Sequence, residues 1–299
     1  MEVKYYLDYV ASESEKLIIT VAPAGGMHGK EVNPNLPLSA KEFGDAAYDC
    51  YNAGASVIHI HPRDKEGKST SSLEAHMDYI DAVRNRCNAI TQVGNGIGIK
   101  DFDKNVTGRS SFYTLEERMN LVNLNPPPDM LTINGGTFQP HGIIIMENSP
   151  QFNTEFVKRA KGKGIKGIEC EIYDLSHIHN VLDLRENGIL TDPIHYDFVF
   201  GMGGGMPPSP EYLIYCIRVV PQPCTWQAAC VGKFQTYVMT VAMALGGNVR
   251  VGFEDNVHYT KGELAKTNAQ MVERMVRIAR ELGREVATPD EAREILKLV

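Results

Sequence analysis

Ser56-Val57-Ile58-His59-Ile60-His61-Pro62 is a short run rich in β-branched residues and closed by proline. Its length and composition are those of a strand. Helix starts flank it. Upstream, Ser39 stands three residues before Glu42, and downstream Ser71 stands three before Glu74. Ser/Thr followed three residues later by Glu is the capping-box pattern. A strand between two helices is the repeating unit of an α/β fold.

The alternation continues along the chain. Further strand-like runs fall at Leu17–Ala24, Ala89–Val93, Met130–Asn134, Ile165–Tyr173, Tyr196–Phe200, Thr225–Val231 and Val249–Phe253. Helical stretches follow: one behind Thr114 and Glu117, one from about Asn153, and others over Ser176–Glu186, Ser209–Val220, Phe234–Leu245 and Glu263–Gly283. A last short helix starts at Thr288, with Pro289 and Glu291. Pro210 and Pro289 suit the first helical position, where no N–H donor is needed. Eight evenly spaced strand–helix units predict one domain over residues 1–299, a (β/α)8 TIM barrel. The runner-up, an open doubly wound sheet, lacks its GxGxxG signature after the first strand.

Composition sets bounds. The chain has 299 residues, 43% of them hydrophobic, enough for one large core, although length alone also allows two domains. Net charge is −7 with both signs interspersed, and no basic stripe suggests nucleic acid. Mean hydropathy is −0.23, and no apolar run approaches the ~20 residues of a membrane helix. The charged segment Met1–Lys16 does not read as a secretory signal. Six scattered cysteines without a CxxC pair fit reduced, mostly core thiols in a cytoplasmic protein.

Side chains two apart on a strand share a face. Val57, His59 and His61 therefore point one way, and Ile58 and Ile60 the other. Two imidazoles on one face make half of a metal site. They are equally compatible with two hydrogen-bonded structural histidines. Arg250, Gly252 and Glu254 share a face at the end of the eighth run, with Asp255 following. Glu254 is a candidate third ligand, and Arg250 with Asp255 a candidate ion pair holding a general base; a surface salt-bridge cluster is the plainer alternative. Glu169, Glu171 and Tyr173 share a face of the fifth run, and Thr132 and Asn134 one of the fourth. Buried carboxylates there need partners. The glycine-rich turn Gly201-Met202-Gly203-Gly204-Gly205 suits a phosphate or the pyrophosphate of CoA, or is only a flexible loop. His28, His76, His141, His177, His179, His195 and His258 show no such pairing and read as surface or supporting residues. The longest loops, Gly96–Tyr113 and Thr137–Phe152, follow strands and so belong to the barrel's catalytic face.

These segments together resemble the β-keto acid cleavage enzymes, whose type member cleaves 3-keto-5-aminohexanoate. The likeness runs nearly end to end. It includes Asn35-Leu36-Pro37, the stretch from Ala53 to His61, Thr132-Ile133-Asn134-Gly135-Gly136-Thr137, Glu169-Cys170-Glu171-Ile172-Tyr173, Phe200-Gly201 with Gly204-Gly205-Met206, and Thr225-Trp226. It continues through Gly252-Phe253-Glu254-Asp255-Asn256, Thr267-Asn268-Ala269-Gln270 and the stretch from Ala287 to Arg293. The resemblance implies that a β-keto acid and acetyl-CoA give acetoacetate and a new acyl-CoA by a retro-Claisen route. It implies a zinc ion on His59, His61 and Glu254, with Asp255 as base beside Arg250. It also implies a supporting Glu171, a substrate contact at Thr132, and a homo-oligomer, a tetramer.

Two positions depart from the pattern. Counted without gaps from Asn35-Leu36-Pro37, the family's amine-binding glutamate falls on Met27, and a thioether cannot pair with an ammonium. The family's serine after the third strand falls on Gly94, beside Asn95, whose amide offers a replacement hydrogen bond. A less cationic, apolar or neutral substrate side chain is expected, unless His28 or Glu31 turns in. Two other readings compete. An amidohydrolase-type hydrolase carries HxH after the first strand and further strand-end histidines, a pattern this chain lacks. A non-catalytic barrel binding acyl-CoA or a metabolite is disfavoured by Arg250, Glu254 and Asp255 standing together.

Overall fold

The computed structural model describes residues 16–101, 111–140 and 145–299. The N-terminal segment before Lys16, the middle of the Gly96–Tyr113 loop and His141 lie outside the described residues.

Local chemistry starts each helix. Ser39 is extended at φ −108° and ψ 155°, and its hydroxyl accepts from the Glu42 N–H while Glu42 returns the bond. That box opens α1 (Ala40–Ala53). Gly54 ends it in the left-handed region at φ 115°, where a side chain would be strained. The chain turns directly into β2 (Val57–Ile60), which pairs in parallel with β1 (Ile19–Val21). Helix α2 (Leu73–Arg84) is capped by Ser72 bonding the Ala75 N–H, one residue later than the Ser71–Glu74 spacing suggests. Thr114 and Glu117 form the expected box before α3 (Leu115–Met119), as Thr288 and Glu291 do before α9 (Pro289–Ile295).

The remaining units are β3 (Ile90–Val93), β4 (Met130–Asn134), α4 (Pro150–Gly162), β5 (Gly167–Ile172), α5 (Leu175–Glu186), β6 (Ile194–Phe200), α6 (Pro210–Val219), β7 (Cys224–Cys230), α7 (Gln235–Ala244), β8 (Asn248–Val251) and α8 (Asn268–Glu281). Strand order is β1-β8-β7-β6-β5-β4-β3-β2, every pair parallel, and the sheet closes on itself. The expected TIM barrel is the observed fold. Helix α8 starts at Asn268 rather than Glu263, because Glu263–Leu264 pairs with His258–Thr260 as a small antiparallel hairpin. Helices α4 and α5 start earlier than expected, behind Ser149 and Asp174.

Alternation sorts the side chains. Ile58 and Ile60 face outward into the layer with Phe43, Ala47, Ile80 and Val83, each fully buried. Such burial contributes about 1.5–3 kcal/mol per large side chain. Cys50, Cys170, Cys216 and Cys230 are buried, Cys87 and Cys224 partly so, and all six are free thiols. At the N-terminal end of the barrel, Ile18, Val57, Ile90 and Met130 meet Ala292, Leu296 and Leu298 from the C-terminal segment. Helix α9 thus plugs that end, and the chemistry is left to the other. No helix among the described residues is long and apolar enough to cross a membrane.

His195 belongs to this plugged end, its Nδ1 bonded to the Thr225 hydroxyl. Burial pushes its imidazole down to about 4 from 6.5. The unfolded chain therefore takes up this proton first, so the stability is complete above about pH 6.5 and lost as pH falls toward 4. The loss amounts to about 3 kcal/mol between pH 7 and pH 4. In urea unfolding, a His195→Gln chain is expected to show a pH slope shallower than the wild type by about that amount. Identical slopes would show that His195 titrates normally.

Candidate active site

The C-terminal mouth of the barrel holds a buried cluster built by alternation on neighbouring strands. His59 and His61 project inward from β2, with Nε2 atoms 3.0 Å apart. Gln92 is the register partner of His59 on β3, and its Oε1 lies 2.6 Å from His59 Nδ1. An amide oxygen only accepts, so Nδ1 carries the hydrogen and Nε2 offers its lone pair. Burial, reinforced by Arg250, pushes His61 down to about 3 and His59 well below its ordinary value. Both rings are neutral.

Glu254 completes the group, 3.6 Å from His61 Nε2 and 3.9 Å from His59 Nε2. One ligand atom from each residue lies within 4.8 Å of the others, and among the described residues no other such group of three occurs. Donors around one zinc ion, each ~2.0–2.2 Å from it, stand ~3.3 Å or somewhat more from one another. Glu254 Oε2 is buried without a hydrogen-bond partner. Two neutral imidazoles and one carboxylate with a spare oxygen fit a divalent cation.

Glu254 does not reach this place as a strand residue, because β8 ends at Val251. Gly252 has φ 136°, and a Cβ there would lie 2.7 Å from the Ala22 carbonyl carbon. The glycine lets the chain turn across the mouth, with the Glu254 N–H donating to Ala22 O at 3.2 Å. The turn brings Glu254 and Asp255 back over Arg250.

Arg250 is the hub. Its Nε and Nη2 each donate to Asp255 at 3.1 Å, and Nη2 donates to Glu254 Oε1 at 2.5 Å. Nη1 donates to Glu171 Oε1 at 3.3 Å and lies 3.8 Å from Asp197. Burial works against the guanidinium charge, but Asp255, Glu254, Asp197 and Glu171 together raise its pKa well above the ordinary arginine value. Burial raises Asp255 too, with Arg250 opposing. Glu171 is pushed up to about 8 by burial, again against Arg250.

The cavity above this cluster is lined by His61, Asn134, Glu171, Arg250, Glu254 and Asp255 at its base and mainly by apolar side chains elsewhere. Of the expected contact residues, Asn134 lines it and Met27 stands at its exposed rim. Thr132 and Asn95 do not reach it. Thr132 Oγ1 accepts from the Asn95 N–H at 3.2 Å, and Asn95 Oδ1 accepts from Arg118 Nε at 2.8 Å. Gly204 lies in an exposed turn outside the lining, and Met202 represents that loop in the wall. Of the two residues that could turn in, His28 lines the cavity, whereas Glu31 does not, since its Oε1 accepts from the Gly29 N–H at 2.8 Å.

Several contributors escape a reading of isolated motifs. Gln92 and Asp197 matter through neighbours on other strands, although the inward period His195-Asp197-Val199 was a usable signal. Arg63 donates to the carbonyls of Gly25, His28 and Gly67, holding the first loop over the site. Arg118 is buried from α3 and also bonds Glu147 O and Asn148. His76, His177 and His195 are core residues, not surface ones. His177 accepts from the Tyr173 N–H at 3.3 Å, behind the cavity wall.

Gly94 explains its own identity. A Cβ there would lie 2.9 Å from His59 Nε2 and closer still to the His61 ring. Gly94→Ala is therefore expected to push both rings aside and destabilise the fold by ~1–3 kcal/mol. Urea unfolding measures this, and an unchanged midpoint would mean the rings are loosely held.

Only with this geometry in view do the similarities to known proteins carry weight. The sequence profile of the family described as beta-keto acid cleavage enzyme matches residues 16–298. The 3-keto-5-aminohexanoate cleavage enzyme of Acetoanaerobium sticklandii is 39% identical over 285 residues, covering 94% of this chain and 98% of its own. The 3-oxoadipate:acetyl-CoA acetyltransferase of Cupriavidus necator is 29% identical over 289 residues, covering 95% of this chain and 96% of its own. The solved apo structure of ObcA shares the fold, with a TM-score of 0.71 at 15% identity over 88% of this chain and 66% of that one. Matched over nearly its whole length, the chain belongs to the β-keto acid cleavage enzyme family.

Proposed function

We propose that this protein is a metal-dependent acyltransferase that converts a β-keto acid and acetyl-CoA into acetoacetate and a new acyl-CoA. The observation that carries this reading is the Arg250 hub. It ties a candidate base, Asp255, to a candidate metal ligand, Glu254, at the floor of one cavity. Relatives named for the cleavage of a keto acid or for acetyl transfer support it.

The residues divide the work. Asp255 takes a proton from the carbon between the carboxylate and the ketone. Two Arg250 donors hold the Asp255 carboxylate in one orientation while burial keeps it basic. The resulting carbanion attacks the acetyl-CoA thioester carbonyl and releases CoA thiolate. The thiolate adds to the original ketone carbon, the bond from that carbon to the central one breaks, and Asp255 returns the proton to acetoacetate. Glu171, beside Arg250, sets the field that the substrate meets, and Asn134 offers an amide to its oxygens. Thr132 and Asn95 act from beneath the floor. Gly204, on the outer turn, is open to the larger co-substrate. A divalent cation held by His59, His61 and Glu254, zinc by the donor set, would supply Lewis acidity toward the carboxylate and ketone oxygens. One three-donor group with no further histidine, among the described residues, does not favour an amidohydrolase-type site.

Zinc content and acetoacetate release separate the roles. His61→Ala is expected to lose the metal and the activity together. Asp255→Asn keeps the metal and loses ~10²–10⁴-fold in turnover, and a near-full rate would refute its role as base. Gln92→Leu frees the His59 ring and is expected to weaken zinc binding ~10–100-fold in a chelator competition. Unaltered affinity would show that Gln92 does not orient the ligand.

A further inference from the structure

The walls of the cavity differ from its floor. Among the described residues that line it, the carboxylates are Glu171, Glu254 and Asp255, and each is hydrogen-bonded to Arg250. None is left for a cation carried at the far end of a substrate. Among the described residues, the two arginines nearest the cavity are equally committed. Arg250 faces four carboxylates, while Arg63 is turned to backbone carbonyls and does not line the cavity.

What remains, apart from Asn134 near the floor and His28 next to Met27, is apolar and partly aromatic. Phe138 and Tyr173 stack with centroids 4.1 Å apart and planes 12° from parallel, and His177 backs Phe138 edge-on at 6.1 Å. Val199, Val231 and Met146 extend the same wall, and Met27 faces it from the rim. A charged group placed against this wall would lose its water without gaining a partner from it, whereas an alkyl or aryl group gains by leaving water.

We infer that the acyl group this enzyme passes to CoA is uncharged and apolar, so that its substrate is a 3-oxoacid with an alkyl or aryl tail. The inference rests on the retro-Claisen reading above and narrows it. It sets this chain apart from its relative named for an amine-bearing keto acid, with Met27 at the rim as a determinant.

The test uses the zinc-loaded enzyme, acetyl-CoA and three acids of one chain length: 3-oxohexanoate, 3-keto-5-aminohexanoate and 3-oxoadipate. Acetoacetate and acyl-CoA release are both read. The neutral acid is expected to exceed each charged one by about 100-fold in kcat/KM. Met27→Glu, at a position 44% exposed and so tolerant of the change, is expected to shift the ratio toward the amine-bearing acid by about tenfold or more. A wild-type preference for either charged acid overturns this inference and leaves the retro-Claisen reading intact. An unmoved ratio in Met27→Glu overturns the role of Met27. Release of acetoacetate from none of the three acids overturns the retro-Claisen reading, and this inference with it.

Discussion

A guanidinium charge inside a barrel is unstable on its own, and at Arg250 four carboxylates converge on it. The arrangement has a cost on both sides, because each carboxylate is also stripped of water. Burial raises Asp255 and Glu171, and Arg250 restrains both shifts. Removing one member of such a buried set typically costs about 3–5 kcal/mol, since it leaves the others uncompensated. The geometry of the mouth is therefore cooperative. Glu254 stands where it does because Arg250 holds its Oε1, which also faces His61, while Oε2 faces His59 without a hydrogen-bond partner.

The histidine pair depends on tighter packing. Gln92 fixes the ring of His59 from the next strand, and Gly94 leaves room for both rings. At the other side of the mouth, Gly252 lets the chain pass close to Ala22 and fold Glu254 back. Two glycines without side-chain chemistry thus set the spacing of three residues that have it. The floor beneath stays closed because α9 seals the opposite end of the barrel with Ala292, Leu296 and Leu298. Segments around the mouth are anchored by Arg63 and Arg118 through carbonyl and amide oxygens.

Most of the site's polar residues were legible as local patterns. His59 and His61 alternate with Ile58 and Ile60, and a period of two on a strand must put them on one face. Arg250, Glu254 and Asp255 stood out as charges at the end of an apolar run. The strand model for Glu254 was wrong in detail, because Gly252 ends the strand, yet the residue still meets Arg250 through the turn. Thr132, Asn95 and Gly204 drew attention as polar or flexible residues near strand ends. Local pattern does not say how deep a side chain sits, so the first two proved to lie below the cavity and the third outside it.

The sequence by itself determined the barrel, because hydrophobic period, capping residues and even spacing are properties of short segments and add up without long-range knowledge. It also determined which side chains of a strand share a face. Only the tertiary structure decided which residues meet. Gln92 finds His59 through strand register, Asp197 finds Arg250 from the next strand but one, and Glu254 joins His59 from 195 positions away. Such pairings depend on closure of the sheet, and no local period encodes them. The apolar wall around Phe138 and Tyr173 has the same origin, assembled from loops and strands that are separate in the chain and adjacent only once the barrel is shut.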